Sequence, residues 1–179
     1  KPDIFFGVSA EDTGRLVKAK SVEEIPQDKL PKEDYISDDL VTATSINNIQ
    51  YGVPITQESV ALYYNKDKVK KVPETMEELL KDAKEKGFAF EATDYYFSFG
   101  FVASQGGYLY KNENGTFNCK DLGVNNEVAI KGYKFLQDMY KDNKNMLPGI
   151  TDYLASDKFY TSEIAYYIGE AGRVRTFSK

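Results

Sequence analysis

The sequence predicts an α/β protein, a mixed sheet flanked by helices, and three observations carry that reading. Apolar runs of strand length alternate along the chain with stretches of helical period. Two of those runs, "IFFGV" and "VALYY", are continuously apolar, the pattern of strands covered on both faces. The clearest helix, "PETMEELLKDAKEKG", starts and stops on capping signals.

Taken in order, Pro2–Val8 reads as a short buried strand and Ser9 as the cap of a helix over "AEDTGRLVKAK". The charged stretch from Ser21 to Lys32, with Pro26 and Pro31, suits a loop with a helical turn. "DYISDDLVTATSI" predicts a helix of modest strength. From Asn48 to Ile55, Ile49, Tyr51, Val53 and Ile55 alternate with more polar residues, the period of a strand, and Pro54 belongs at its end or on an edge. The next strand, Ser59–Tyr64, is expected at the centre of the sheet. Thr75 and Glu78 form a capping box for the helix that follows, Met76, Leu79, Leu80 and Ala83 its apolar stripe, and Gly87 its stop. "FAFEA" is a short strand, and "DYYFSFGFVASQGG" a helix from Asp94 to Gly106-Gly107. Tyr108–Lys120 predicts a hairpin turning at Asn114-Gly115. A long helix spans about Asn126 to Lys141, with Ala129, Tyr133, Leu136, Met139 and Tyr140 as its buried stripe. "TDYLASDKFYTS" is a short helix and "EIAYYIG" a last strand.

Composition excludes several classes of function. The formal net charge is -5 with acids and bases interspersed, and no basic stripe marks a nucleic-acid partner. No run approaches the ~20 apolar residues of a membrane helix. Cys119 is the only cysteine, so neither an internal disulfide nor a cysteine-based zinc cluster is expected. Histidine is absent, which removes Ser-His and Cys-His nucleophile systems and the commonest transition-metal ligand. No cofactor and no metal is implied. The chain opens on Lys1-Pro2-Asp3 without methionine, as a mature or trimmed chain would.

Two places set acids beside aromatic rings at predicted element ends, where α/β sheets bind ligands. Gln57-Glu58-Ser59 precedes the strand "VALYY", and Asp94-Tyr95-Tyr96-Phe97 opens a helix directly after a strand. Carboxylates accept hydrogen bonds from sugar hydroxyls, and ring faces cover apolar C–H patches, so the combination suits a carbohydrate. Glu58 reads equally as a solvated strand-end charge, and Asp94 as a plain helix cap. Gly169-Glu170-Ala171-Gly172-Arg173 lacks the spacing of a P-loop or dinucleotide fingerprint and suits a pocket wall.

Four segments, "PDIFFG", "YGVPITQESVALYYNKD", "DYYFSFGFVASQGGYLYKNENGTFNCKDLGVNN" and "TSEIAYYIGEAG", follow one another as in extracellular solute-binding proteins of the ABC-importer sugar class, and most resemble the maltose/maltodextrin binders. The resemblance covers nearly the whole chain. It implies a periplasmic-binding-protein-like lobe, a ligand cleft between two lobes, and an oligosaccharide ligand. It places Glu58 on the acidic sugar ligand of the first motif, Asp94 on the acid of the second (Glu in the family), and Tyr96 and Phe97 on the aromatic pair after it. Tyr95 stands where those binders have proline, and belongs to the same expected contact set. Two departures concern specificity. A tryptophan and an Asp-Arg pair expected near the start are replaced by Gly7-Val8-Ser9-Ala10-Glu11, and Gly172 stands where a stacking tryptophan is expected.

The resemblance therefore implies the binding component of an ABC importer for maltose, maltodextrin or a related oligosaccharide, not an enzyme, present as a partial chain. Its partners would be the oligosaccharide and the membrane permease subunits. Its location would be extracytoplasmic, in a periplasm or at a cell surface, with or without a lipid anchor on the full-length parent. Residues 1–45 are expected to be a remnant of the first lobe, 46–170 the second lobe, and 171–179 the start of a truncated helix. Residues 1–45 are further expected to pair with the same segment of another chain or to repack on their own lobe. The alternative is a carbohydrate-active hydrolase using Glu58 and Asp94 as its carboxylate pair.

Overall fold

Strand β7, Tyr166–Glu170, is the element around which the larger part of the chain is organised. Four of its five residues are buried, and only Glu170 is exposed. β3 (Val60–Tyr64) pairs with it antiparallel, Val60 opposite Glu170 and Tyr64 opposite Tyr166. β4 (Phe88–Ala89) pairs with its other edge in parallel, Phe88 opposite Tyr166. The sheet order is β3-β7-β4, so "VALYY" is an edge strand and the centre belongs to "YYIGE". The expectation of a central Ser59–Tyr64 strand is corrected here. Val60 and Leu62 stay more than a third exposed, whereas Tyr166 and Tyr167 are fully buried.

The computed structural model describes residues 2–30, 32–113 and 116–178. Its contacts divide the chain into two compact units, Glu58–Lys111 with Cys119–Lys179, and Lys1–Gln57 with Asn112–Asn118.

In the unit built on β7, aromatic residues fill both sides of the sheet. The Tyr63, Phe159, Tyr167 and Phe177 rings meet at centroid distances of 4.9–6.2 Å. Phe88, Phe90, Phe101 and Phe135 form a second, stacked run at 5.5–5.9 Å. Each such contact adds roughly 0.5–1.5 kcal/mol beyond area burial. Two core tyrosines find acceptors at the rim. Tyr166 donates to Asp82 at 2.6 Å, and Tyr167 donates to Asp152, which also receives Arg173. Burial, then the carboxylate acceptor, pushes both hydroxyls well above the usual phenol range.

In this unit the helices that begin at Met76, Tyr95, Glu127 and Asp152 start where expected. Thr75 accepts from the Glu78 N–H at 3.2 Å to open α3 (Met76–Lys86), and Gly87 closes it at φ 83°. The Glu78 carboxylate reaches back to the Glu74 N–H, one residue earlier than in the standard capping box. Asp94 caps α4 (Tyr95–Ala103), Asn126 caps α5 (Glu127–Asp142) and Thr151 caps α6 (Asp152–Tyr160), each with a side-chain oxygen on a backbone N–H. Ala129 and Met139 of α5 are buried, Leu136 and Tyr140 partly so, but Tyr133 remains exposed and uses its hydroxyl instead. After β7 the chain turns through a short 3₁₀ segment, Ala171–Arg173, into α7, Val174–Phe177.

The other unit is less regular, and four expectations are corrected in it. No strand forms at Pro2–Val8. Ile4 and Phe6 are 80% and 84% exposed, and Gly7 at φ 71° breaks the extended run. The helix after Ser9 is a 3₁₀ turn, Ala10–Asp12, running into α1 (Thr13–Lys18), and the Ser9 side chain makes no cap bond. The helix expected over "DYISDDLVTATSI" shortens to α2 (Asp38–Ala43), capped by Ser37. Its last residues instead form β1 (Ser45–Ile46), which pairs antiparallel with β2 (Ile49–Gln50). Asn47 and Asn48, both at positive φ, make the two-residue turn. The long strand expected to Ile55 is thus two residues, and its apolar residues are not its buried ones. Val53 and Ile55 are more than half exposed. Gln50 is buried because Ser45, Thr44 and the Gly52 carbonyl satisfy its amide. β5 (Lys111–Glu113) and β6 (Thr116–Asn118) form the expected hairpin, whose turn at Asn114-Gly115 lies outside the described residues.

Helices α4 and α5 touch through a glycine. A Cβ on Gly132 would stand 2.7 Å from the Val102 Cα and 2.8 Å from the Phe101 carbonyl oxygen. Gly132→Ala is therefore expected to destabilise by about 1–3 kcal/mol through overpacking, despite alanine's better helix propensity. Gly100→Ala on α4 meets nothing within 4 Å and should stabilise by roughly 0.5–1 kcal/mol. Urea denaturation of the two variants should move the midpoint in opposite directions.

Raised phenol pKa values also set a pH dependence. Tyr166 and Tyr167 are held neutral when folded, so their contribution is intact below about pH 10, the ordinary phenol value, and disappears as pH rises through the folded values. The melting temperature should fall steeply above about pH 10, and Tyr166→Phe should flatten that fall. An unchanged melting temperature across the alkaline range would contradict the assignment.

Candidate functional site

Strand directions bring three loops to one end of the sheet. Because β4 runs parallel to β7 and β3 antiparallel, the residues before β3, after β4 and after β7 share that end. They are Glu58-Ser59, Glu91–Asp94 and Glu170–Gly172. The ladder continues one step past β3, with the Ala171 N–H donating to the Ser59 carbonyl at 2.8 Å. The Tyr63 hydroxyl lies 2.8 Å from the Glu170 and Ala171 carbonyl oxygens and donates to them, tying down the turn after β7.

Glu58 is exposed at this end. Gly172, in the 3₁₀ turn after β7, lies beside it: a Cβ on Gly172 would stand 3.8 Å from the Glu58 Oε2 and meet nothing else outside its own turn within 4 Å. Glycine here leaves open space beside a carboxylate.

Asp94 is exposed, and its Oδ1 accepts from the Tyr96 N–H at 2.8 Å while its carbonyl accepts from the Ser98 hydroxyl at 3.0 Å. It holds the first turn of α4. That turn sends its three aromatic residues in different directions. Tyr96 is 49% exposed, and burial, then the carboxylates of Glu170 and Glu58, raise its hydroxyl pKa. Tyr96 therefore lies within electrostatic range of Glu58 and Glu170. Tyr95 turns toward α5 and shares a hydrogen bond of 3.0 Å with the Tyr133 hydroxyl. Burial and that partner push its pKa up to about 12. Phe97 is only 7% exposed and packs in the core, its ring 5.3 Å from that of Tyr96. Of the five residues singled out from the sequence, Glu58, Asp94 and Tyr96 are thus brought together on the surface at one sheet end, Tyr95 is half-buried beside α5, and Phe97 supports from below.

The structure adds Glu170, which the sequence reading passed over as part of a pocket wall. Its signal was available in retrospect, as an acid closing an otherwise fully apolar strand. Behind the site, Glu91 accepts from the Asp152 N–H at 2.7 Å, and Asp152 receives Tyr167 and Arg173. This network fixes the start of α6 against the strand ends. Elsewhere, a cavity of about 430 Å³ lies between α3 and α5, and one of about 280 Å³ lies beside α6 and α7. Among the described residues, no group of histidine, cysteine, aspartate and glutamate side chains could hold a metal ion, and no helix is long and apolar enough to cross a membrane.

The chain belongs to the bacterial extracellular solute-binding protein family, whose profile matches residues 1–179. It is similar to a maltooligosaccharide ABC transporter solute-binding lipoprotein of Streptococcus pneumoniae, at 30% identity over 78% of this chain and 35% of that protein. A maltodextrin-binding protein of Bacillus subtilis is 35% identical over 51% of this chain and 24% of its own length. A galactooligosaccharide-binding protein of the same organism is 32% identical over 59% and 27%. Among solved structures, the maltose-maltodextrin binding protein of Alicyclobacillus acidocaldarius superposes with a TM-score of 0.90 at 26% identity, covering 99% of this chain and 48% of that one. The chain thus spans about a third or less of these curated relatives and just under half of that solved chain. The fold is that of a periplasmic-binding-protein-like lobe, as the sequence predicts.

The two readings of Asp94 are separable. Asp94→Asn keeps a good cap and should leave stability within a few tenths of a kcal/mol, whereas Asp94→Ala should cost about 1 kcal/mol. Thermal melting checks both. A loss of ligand affinity in Asp94→Asn at unchanged stability would assign the carboxylate to the ligand, and unchanged affinity would leave it a cap alone.

Proposed function

We propose that this chain is part of the carbohydrate-binding component of an ABC importer and takes maltodextrin or a related oligosaccharide. The observation that carries the reading is the gathering of Glu58, Tyr96 and the Asp94-capped helix start at one sheet end, in a chain whose relatives are named for maltodextrin, maltooligosaccharide and galactooligosaccharide. Exposed carboxylates accept sugar hydroxyls, and the Tyr96 ring gives an apolar face. Tyr95 and Phe97 hold that ring's helix in place. Asp94 spends one carboxylate oxygen on its own helix, which suits a binding wall better than an acid–base pair. The importer's membrane permease subunits are the partners this reading implies, and its location is extracytoplasmic, in a periplasm or at a cell surface.

Within this reading residues 46–170 supply the second lobe, residues 1–45 a remnant of the first, and 171–179 the start of a further helix. A two-lobed cleft encloses its ligand from both sides. One wall leaves much of the sugar hydrated, so the 179-residue chain by itself should bind maltodextrins no tighter than roughly millimolar, about -4 kcal/mol. The natural full-length protein should bind an oligosaccharide of this class much more tightly, with maltose itself weak because Gly172 replaces a stacking ring. Calorimetry on both tests this. Micromolar binding by the isolated chain, or tight maltose binding by the full-length protein, would contradict it, and release of hydrolysis products would favour a hydrolase.

The exposed Ile4, Phe5, Phe6 and Val8 give the first segment a reason to associate. Light scattering of the 179-residue chain should show self-association that Phe6→Lys reduces. A strictly monomeric chain would argue against it.

A further inference from the structure

We propose that Glu170 is a further ligand-contacting residue of this wall, accepting a saccharide hydroxyl on the same face as Glu58 and Tyr96. The inference rests on the sugar-binding reading and deepens it.

Directly opposed residues of an antiparallel pair point to one face, and so do residues two apart along a strand. Glu170 opposes Val60, and Glu58 precedes Val60 by two along a ladder that continues through Ser59. Glu58 and Glu170 therefore occupy diagonal positions on one face, roughly 7–8 Å apart at the backbone. The opposite face carries Tyr63 and Tyr167 and is filled by Phe159 and Phe177. Two acids set diagonally repel one another, and a packed core gains nothing from them. Beside them, in the 3₁₀ turn that follows β7, is Gly172, where a side chain would find only the Glu58 carboxylate nearby. The result is a bare strip of backbone edged by two acceptors and one exposed phenol. A sugar ring laid there presents hydroxyls to both acids, where a bulky residue at 172 would offer a ring face instead. Tyr96 lies within electrostatic reach of both acids, and Arg173, also in electrostatic reach of Glu170, is held by Asp152.

Hydrogen bonds to charged acceptors dominate such a contact, and removing one weakens binding by about ten- to a hundredfold. Calorimetry of the natural full-length protein with maltotetraose and with a galactooligosaccharide tests this. Whichever probe binds, E170Q and E170A should weaken it about ten- to a hundredfold, while E85Q, the same charge change on the exposed face of α3, should not. In the unsubstituted protein the Glu170 carboxyl carbon should shift in NMR spectra at saturating sugar, a readout that needs no variant to fold. Full affinity in E170A, or an unmoved Glu170 carboxyl signal in the sugar-bound protein, overturns the assignment and leaves the sugar reading standing. Failure of the unsubstituted protein to bind either probe overturns that reading and the assignment with it.

Discussion

The burial of β7 on both faces is the constraint on which the remaining structure depends. A strand whose first four residues are shielded from water must satisfy its backbone on both edges. β3 and β4 do so, one antiparallel and one parallel. Their opposite directions then determine which loops meet. The approach to β3 and the exits of β4 and β7 fall at one end, although they are far apart in sequence. Only at Glu170 does the strand emerge, and there the chain changes from core to polar surface within one residue.

Aromatic packing supports this end from behind. Tyr63 joins both functions, its ring among Tyr167, Phe159 and Phe177 and its hydroxyl on the carbonyls of the turn after β7. α4 is similarly divided, with Phe97 in the core, Tyr96 in solvent, and Asp94 bonding the turn between them. A binding wall needs such support, because a ligand's hydrogen bonds are directional and weaken steeply when their partners move. The division also explains why one aromatic run serves two purposes. The rings that pack are those whose helical phase faces β4 and β7, and Tyr96 is out of that phase.

In the unit built on β7 the sequence was legible where local chemistry decides the structure, whereas the Ser9 cap signal in the other unit was not realised. Thr75, Asp94, Asn126 and Thr151 cap the helices they announce, because a side-chain acceptor next to orphan N–H groups is a local matter. Strand rank was not legible, since "VALYY" and "AYYIG" look alike and only the pairing partners separate edge from centre. Pro2–Val8 failed for a related reason. Its apolar run is strand-like, but a strand is defined by a neighbour, and Gly7 adopts a positive φ. At Asn48–Ile55 the alternation misled because Gln50 is buried by side-chain hydrogen bonds that hydropathy does not register. For the site, Glu58 and Asp94 were visible as acids beside aromatics. Glu170 became meaningful only through register, which sets it diagonally across from Glu58.

The central claim is that the β3-β7-β4 sheet end is the face that meets the ligand. The most direct measurement is a backbone-amide NMR titration of the natural full-length protein with maltotetraose. The perturbed amides should cluster at Glu58-Ser59, Ala92–Tyr96 and Glu170–Gly172, with the groove between α3 and α5 unmoved. Perturbations confined to that groove, or leaving these three loops unchanged while sugar binds, would contradict the account.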